Sequence, residues 1–149
     1  MYKNILIASD GSELSDKGVH HGLQLALALQ CKATVLTVLE PFPEHVVVGG
    51  ADWIPSSEDA DRFNATRDAY ADKLLQRANA AAAQLGISIT TRRVEHELPA
   101  EAIISEADNR GHDLIVMASH GRRGLSRLLL GSQTAEVLAR CKVPVLVVR

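Results

Sequence analysis

The residues with the clearest chemical potential lie between an apolar run at 114–116 and a helix-like pattern that starts at Gln133. Gly121 opens this stretch, and Gly131 and Ser132 close it. Small residues let backbone N–H groups approach a ligand closely, and the N-terminus of a helix favours negative charge. The spacing is therefore compatible with phosphate binding. A long loop with Ser132 as the helix cap is an equal alternative at this point, because neither the P-loop pattern nor GxGxxG is present.

Strand-length apolar runs alternate with helical patterns along the chain. The predicted strands are 5–8, 34–39, 87–94, 113–117 and 143–148. The first predicted helix follows Ser12 as its cap, and the second carries an apolar face from Phe63 to Leu85. The third begins at Pro99, and the fourth runs from Gln133 to Arg140. Gly86 and Gly111 are expected to end the second and third of these helices.

This alternation predicts an α/β fold: a single doubly wound five-stranded parallel sheet, Rossmann- or flavodoxin-like, with helices on both faces. Right-handed crossovers favour the strand order 3-2-1-4-5. The first and fourth strands then lie side by side where the winding reverses, and ligands bind outside the carboxyl ends of strands at such a point. Asp10-Gly11-Ser12 leaves the first strand there, and the glycine loop leaves the fourth. Their convergence on one crevice favours a nucleotide site.

Length and composition fit one domain, residues 1–149. The net charge of −2 and the 3% aromatic content give no indication of nucleic-acid binding. No apolar run approaches the ~20 residues of a membrane span, and the N-terminus enters a strand pattern rather than a signal peptide. Cys31 and Cys141 are isolated in the sequence, which is typical of a reduced, cytoplasmic setting.

Several motifs together resemble the universal stress protein family over essentially the whole chain. Residues 5–12 are similar to the family's first strand and its Asp-Gly-Ser turn, and residues 114–121 are similar to its fourth strand and loop. Nucleotide-binding members carry Gly-x-x-Gly, nine residues, then Gly-Ser or Gly-Thr. Here nine residues separate Gly121 from Gly131-Ser132, and residues 143–148 are similar to the family's last strand.

The resemblance implies an ATP-binding stress-response protein, commonly a homodimer, in which Mg²⁺ could bridge the phosphates. By position in the family's motifs, Asp10 and the backbone of Val38 would meet the adenine side, and Ala118 would lie by the ribose. The phosphates would be held by Gly121, Gly131, Ser132 and the amide of Gln133.

Ala118 is the one departure within these motifs, since the family's loop begins with glycine at this place. The extra methyl group could push the nucleotide outward, or cost nothing if φ is negative and the group points away. Strand-end residues usually have negative φ, so we expect ATP binding to survive, with some loss of affinity.

Other polar side chains near these motifs have ordinary structural alternatives. Asp10 could bond the amides of its own loop as an Asx turn. Arg122, Arg123 and Arg127 could screen phosphate charge, although an exposed basic loop is the default. His120 is expected to be structural or solvated rather than catalytic.

No nucleophile beside a base, and no carboxylate pair near the phosphate end, indicates a catalytic set. The favoured function is therefore ATP binding that controls partner proteins. A dimeric interaction protein of the same fold that binds no nucleotide, and a slow ATPase, stay open. A phosphoacceptor receiver domain fits less well, since only Asp10 and Glu95 stand where it needs clustered acids.

Two segments are candidates for contact surfaces. The least patterned part of the chain, Glu40 to Asp59, carries Trp53, and packing onto its own domain is favoured there over a lid or a partner surface. Residues 143–148 are apolar on both faces and are expected to form a sheet edge that pairs with a second copy.

Overall fold

The computed structural model describes residues 1–121 and 130–149. The strands are β1 (Asn4–Ala8), β2 (Lys32–Leu39), β3 (Val46–Val48), β4 (Ala51–Trp53), β5 (Thr90–Glu95), β6 (Leu114–Ala118) and β7 (Val145–Val148). The helices are α1 (Glu13–Leu29), α2 (Ser57–Gln84), α3 (Pro99–Asn109) and α4 (Ser132–Arg140). In these described ranges, none of the helices combines the length and the apolar character that crossing a membrane requires.

Five of the strands form one parallel sheet in the order β5-β2-β1-β6-β7. Numbered by their sequence within this sheet, the strands follow the predicted order 3-2-1-4-5, so the doubly wound α/β fold is confirmed. β1 and β6 are neighbours, with Ile7 opposite Val116. The winding reverses between them, and their carboxyl ends open at the same edge of the sheet.

Side chains of the central strands fill one apolar layer on each face of the sheet. Ile5 and Ile7 of β1 pack on one face with residues of α1 and α2, whereas Leu6 packs on the other face with residues of α3 and α4. All three are completely buried. Successive residues of a strand point to opposite faces, so a strand covered on both sides has a continuous apolar sequence. The uninterrupted run at 5–8 has this cause.

Most helix ends follow the expected capping residues. The Ser12 hydroxyl accepts a hydrogen bond from the N–H of Ser15 at the start of α1, and Pro99 is the first residue of α3. Gly86 and Gly111 follow the ends of α2 and α3 with φ of 72° and 65°. Glycine adopts this left-handed conformation at little cost, so both predicted helix ends are confirmed.

Two strands begin two or three residues later than the sequence predicts. β5 begins at Thr90 rather than at residue 87, because its pairing with β2 starts only where Thr90 lies opposite Thr34. β7 begins at Val145 rather than at residue 143. Pro144 immediately precedes it, and proline has no N–H to give to a ladder.

The segment from Glu40 to Asp59 contains regular structure that the sequence analysis did not predict. β3 and β4 form an antiparallel hairpin, and α2 already starts at Ser57. Trp53 is 46% exposed and Ile54 is 73% exposed. The expectation that this segment packs onto its own domain is therefore wrong for the hairpin. Its strands pair with each other rather than with the large sheet, which leaves their side chains exposed.

Candidate functional site

The loops that follow β1 and β6 leave the sheet side by side. A Cβ atom built on Gly121 would lie 2.7 Å from Oδ2 of Asp10. A real side chain at this position would displace the Asp10 carboxylate, so glycine at 121 permits the observed approach. The predicted convergence of the first and fourth strand loops is confirmed, with the Asp10 carboxylate against the Gly121 backbone.

Asp10 is fixed by bonds within its own loop and by one to α2. Its Oδ1 accepts a hydrogen bond from the N–H of Ser12 at 3.0 Å, which is the Asx turn considered as its structural role. Its backbone carbonyl accepts a bond from the Tyr70 hydroxyl at 2.8 Å. These bonds hold the half-buried carboxylate in place, and they are compatible with contact to a ligand at the same edge.

Gly11 shows how closely α2 covers the first loop. Its φ is 78°, and a Cβ atom there would lie 2.9 Å from Cζ of Tyr70. Arg77 of α2 donates to the Gly11 carbonyl at 3.3 Å and pairs with Asp16 at 3.3 Å. Tyr70 and Arg77 therefore position the Asp10 loop, a role that the sequence analysis did not assign to either residue.

Two buried serines complete the support of this loop. The hydroxyls of Ser9 and Ser15 lie 3.0 Å apart, and Ser9 Oγ accepts the N–H of Gly11 at 3.2 Å. The N–H of Ser9 in turn donates to the carbonyl of Leu36 in β2. Backbone groups beyond the end of β1 thus keep hydrogen-bond partners, and the loop geometry is set by the sheet and by α1.

The start of α4 is attached directly to the end of β6. The N–H of Gly131 donates to the Ser119 carbonyl at 2.8 Å, and the Thr134 hydroxyl donates to the Ala118 carbonyl at 2.9 Å. A Cβ atom on Gly131 would lie 3.2 Å from the oxygen of Ser119. Only glycine fits this junction without displacement. The helix N-terminus therefore lies directly beside the carboxyl end of β6.

Ser132 does not cap α4, so that part of the sequence interpretation is wrong. The N-cap residue is Gly131, with φ −61° and ψ 150°, and among the described residues no side chain caps this end of the helix. Ser132 is the first helical residue and is exposed. Because N–H groups in the first turn of a helix have no intrahelical acceptor, those of Ser132 and Gln133 can bind a ligand. The Gln133 side chain accepts the N–H of Ala100 at 2.9 Å, which fixes α4 against α3.

The backbone of Val38 faces the same crevice. The Leu36 carbonyl accepts the N–H of Ser9, just beyond the end of β1. The Leu39 carbonyl accepts the N–H of His96, on the opposite side of β2, where β5 lies. Alternate residues of a strand direct their backbone groups to the same side. The N–H and C=O of Val38 therefore point, like those of Leu36, toward the side where β1 has already ended.

Ala118 occupies the end of β6 in a conformation that suits alanine. Gln30 is the one non-glycine residue with positive φ in the described ranges, so the expected negative φ of Ala118 is confirmed. Strand alternation places its methyl group on the same face as Leu114 and Val116, which pack against α1. Gly18 of α1 lies close to this strand end, and a Cβ built on it would meet the Ala118 nitrogen at an ordinary contact distance of 3.5 Å.

The remaining sequence candidates divide into two groups. His120 holds its Nδ1 2.9 Å from the Ser119 hydroxyl, which agrees with a structural role. Arg122, Arg123 and Arg127, considered as phosphate-screening residues, lie outside the described residues.

The comparison with known proteins agrees with this architecture. The family model described as the universal stress protein family matches residues 1–149. A universal stress protein of Methanocaldococcus jannaschii is 30% identical over 149 residues, which cover 100% of this chain and 83% of that protein. The chain belongs to the universal stress protein family.

Solved structures place this universal stress protein among similar folds. The universal stress protein UspA from Lactobacillus plantarum superposes with a TM-score of 0.83 at 21% identity, covering 99% of this chain and 98% of that one. A universal stress protein crystallised in complex with cAMP has a TM-score of 0.72 at 26% identity, with 99% and 97% of the two chains covered. The first of these likenesses establishes the fold alone.

Proposed function

We propose that this chain binds an adenine nucleotide, ATP, in the crevice between the ends of β1 and β6, with the phosphates at the N-terminus of α4. A contrast among the helix N-termini carries the proposal. The first turns of α1, α2 and α3 contain acidic side chains, whereas the first turn of α4 contains none. Among the four described helices, α4 is therefore the one whose own first turn presents no carboxylate to a phosphate.

The neighbouring residues supply complementary contacts. Asp10 and the backbone of Val38 would meet the adenine and ribose side, and Ala118 would lie beside the ribose. The phosphates would be bound by Gly121, Gly131, Ser132 and the Gln133 amide. Support comes from the close backbone approaches at Gly121 and Gly131, and from the 26% identical relative that was solved with cAMP.

A magnesium ion would fit this arrangement through Asp10. Its carboxylate lies against the glycine backbone at the crevice, and Mg²⁺ prefers oxygen ligands, chiefly carboxylates together with substrate phosphates. Within the described residues, no group of three acidic, histidine or cysteine side chains could hold a metal. Phosphate oxygens and water would thus complete the coordination, and the ion would neutralise phosphate charge.

The biological role that we infer is a nucleotide-dependent regulatory protein of the stress response. Family membership supports this role. The cytoplasmic setting is inferred from Cys31 and Cys141, neither of which forms a disulfide. A nucleotide-free interaction protein and a slow ATPase are the competing functions.

We further propose that the protein is a homodimer paired through residues 143–148. β7 is at the edge of the sheet, and its four residues are only half buried although all are apolar. An open apolar edge strand favours pairing with another chain, and self-pairing gives twofold symmetry.

Substitutions at Ser132 test the phosphate site with little effect on the fold. Ser132→Pro removes both the N–H and the hydroxyl, yet proline is favoured at the first position of a helix. The backbone of Gly131 is already extended, which is the conformation that a residue before proline requires. Ser132→Ala is the matched control, because it removes the hydroxyl and keeps the N–H.

The measurement is titration with a fluorescent ATP analogue, together with mass spectrometry of nucleotide released from freshly purified protein. Ser132→Ala is expected to weaken binding by about 1 kcal/mol, the net value of one hydrogen bond. Ser132→Pro is expected to weaken it distinctly more. Equal affinities in all three proteins would place the phosphates elsewhere, and no binding by the wild type would favour the nucleotide-free function. Steady-state phosphate release separates binding from slow hydrolysis.

A further inference from the structure

The β3–β4 hairpin presents a group of large apolar side chains to solvent. Val47, Val48 and Ile54 are 69%, 62% and 73% exposed, and Trp53 is 46% exposed. We call these four residues the hairpin surface. Concentrated apolar exposure of this kind marks interaction sites, and a two-stranded ribbon by itself is only marginally stable in water. The hairpin surface therefore has the character of an interface.

The pairing of the two strands places apolar groups on both faces of the ribbon. Val46 lies opposite Trp53, whereas Val47 lies opposite Asp52. Residues directly opposite share a face, and successive residues alternate between faces. Val48 and Trp53 therefore lie on one face, and Val47 lies on the other beside a carboxylate. A partner can bury apolar area on either side.

The hairpin also has open backbone edges. Within the described residues, β3 pairs with β4 and with no third strand. Gly49 and Gly50 have φ of 60° and 82°, the conformation of a tight two-residue turn that is typical of hairpins. The turn holds the two strands in register, so each outer edge presents a fixed row of N–H and C=O groups. Such an edge accepts an additional extended strand.

The segment that contains the hairpin is acidic in sequence. Residues 33–61 include no lysine or arginine, although the whole chain has 16 basic and 18 acidic residues. The acidic residues of this segment are Glu40, Glu44, Asp52, Glu58, Asp59 and Asp61. The segment therefore favours a positively charged partner and repels polyanions such as nucleic acids and acidic membranes.

An acidic cleft extends this surface at the start of β3. It has a volume of about 430 Å³, and its lining includes Glu40, Glu44, Glu97 and the ring of Phe42. The ring of Phe42 is held against Phe63 of α2, with ring centres 5.2 Å apart. Carboxylates beside an aromatic ring suit an ammonium or guanidinium group. A basic side chain reaching past the hairpin would find a complementary cleft.

We propose that the hairpin surface and this cleft dock an extended polypeptide segment of another protein that alternates apolar residues with lysine or arginine. The open edge would pair with its backbone, the exposed valines and Trp53 would pack against its apolar side chains, and the carboxylates would bind its cations. Two hairpins from two copies of this chain would carry the same negative charge, so the charge distribution opposes self-pairing here.

The test uses Trp53, the one tryptophan of the chain, as an intrinsic probe. The probe ligand is a synthetic peptide of four Lys-Val repeats, added to the full chain without nucleotide, so the result does not depend on the ATP site. We expect a saturable blue shift of Trp53 emission that weakens as salt screens the charges. A peptide of Glu-Val repeats is expected to give no shift.

Matched variants locate the binding. Val47→Ser should weaken binding about tenfold through lost apolar burial, and Asp52→Asn about threefold through one lost ion pair. The controls are Leu27→Ser, which also replaces an exposed apolar side chain by serine, and Asp108→Asn, which also removes one exposed carboxylate. They lie on α1 and α3 and should leave binding unchanged. Circular dichroism and urea unfolding confirm that each variant is folded.

Several results would overturn the proposal. One is an unchanged Trp53 spectrum with the Lys-Val peptide, and another is equal weakening in the hairpin and control variants. If the wild type self-associates in sedimentation and Val47→Ser abolishes this association, the hairpin surface binds a second copy of the chain instead. A blue shift with phosphatidylserine vesicles but not with the peptide would assign it to a membrane.

Discussion

In the proposed nucleotide site, Ala118 would lie beside the ribose at the end of β6. Its methyl group lies on the face covered by α1 rather than projecting beyond the strand end. We therefore expect the wild type to bind ATP. Ala118→Gly should tighten binding by no more than about 1 kcal/mol, because relief of a small contact competes with the added freedom of glycine.

Titration calorimetry of both proteins checks this expectation. Binding that is absent from the wild type at millimolar ATP and restored by Ala118→Gly would show that alanine blocks the site. Absence of binding in both proteins would show that the crevice is not a nucleotide site.

His112 is a second residue whose role can be measured, here through the pH dependence of stability. It lies just before β6, at the amino ends of the strands and therefore opposite the crevice. Its side chain is 4% exposed. Burial lowers the pKa of His112 below the ordinary histidine value, and the nearby Glu106 carboxylate opposes this only in part. The unfolded chain therefore binds more protons than the folded chain in this range, and stability rises with pH.

The stabilising contribution of His112 is fully present above the unfolded pKa of about 6.5 and is lost as the pH falls through that value toward the folded pKa. His112→Leu should accordingly flatten the fall in unfolding free energy between pH 7 and pH 5. The exposed His20 provides the control, since His20→Gln should keep the wild-type slope in urea unfolding. The same slope in His112→Leu and the wild type would contradict this assignment.

At the scale of elements, α2 positions a loop that lies some sixty residues earlier in the chain. The Tyr70 hydroxyl donates to the Asp10 carbonyl at 2.8 Å. Tyr70→Phe should lower the free energy of unfolding by about 1 kcal/mol and weaken nucleotide binding by a small factor, because the Asp10 loop loses one fixed contact. Urea unfolding and ATP titration measure the two effects.

The chain's other tyrosine provides a matched control for this prediction. Tyr2 packs against the core at the opposite edge of the sheet, so Tyr2→Phe should leave nucleotide affinity unchanged. A similar loss of affinity in both variants would mean that the effect does not pass through the Asp10 loop.

The elements also explain which features the sequence could predict. The large sheet was predictable because its buried strands form continuous apolar runs, and the helix ends at Ser12, Gly86 and Pro99 follow local capping rules. The hairpin was missed, although Gly49-Gly50 between two short extended segments is a hairpin signal. The contacts of Tyr70 and Arg77 were not predictable, since they depend on how α2 packs over a distant loop.

At the scale of the whole molecule, the sheet has two edges, and β7 forms the more apolar one. β5 at the other edge has the sequence Thr-Thr-Arg-Arg-Val-Glu, whereas β7 consists of Val145–Val148. Charged side chains protect an edge strand against pairing, and apolar residues do not. This difference favours β7 over β5 as the edge of the proposed dimer.

The dimer can be tested with a charge placed in that edge. Val147 lies opposite Met117 in the ladder and is half buried, so Val147→Lys would introduce an ammonium group beside the proposed partner strand without opening the fully buried core. Burying an unpaired charge is costly, and two symmetry-related lysines would also repel each other. Sedimentation velocity should therefore show a dimer for the wild type and a shift toward monomer for Val147→Lys. Leu27→Lys, which adds the same charge on the exposed surface of α1, should stay dimeric. A wild type that sediments as a monomer at tens of micromolar would rule out this assembly.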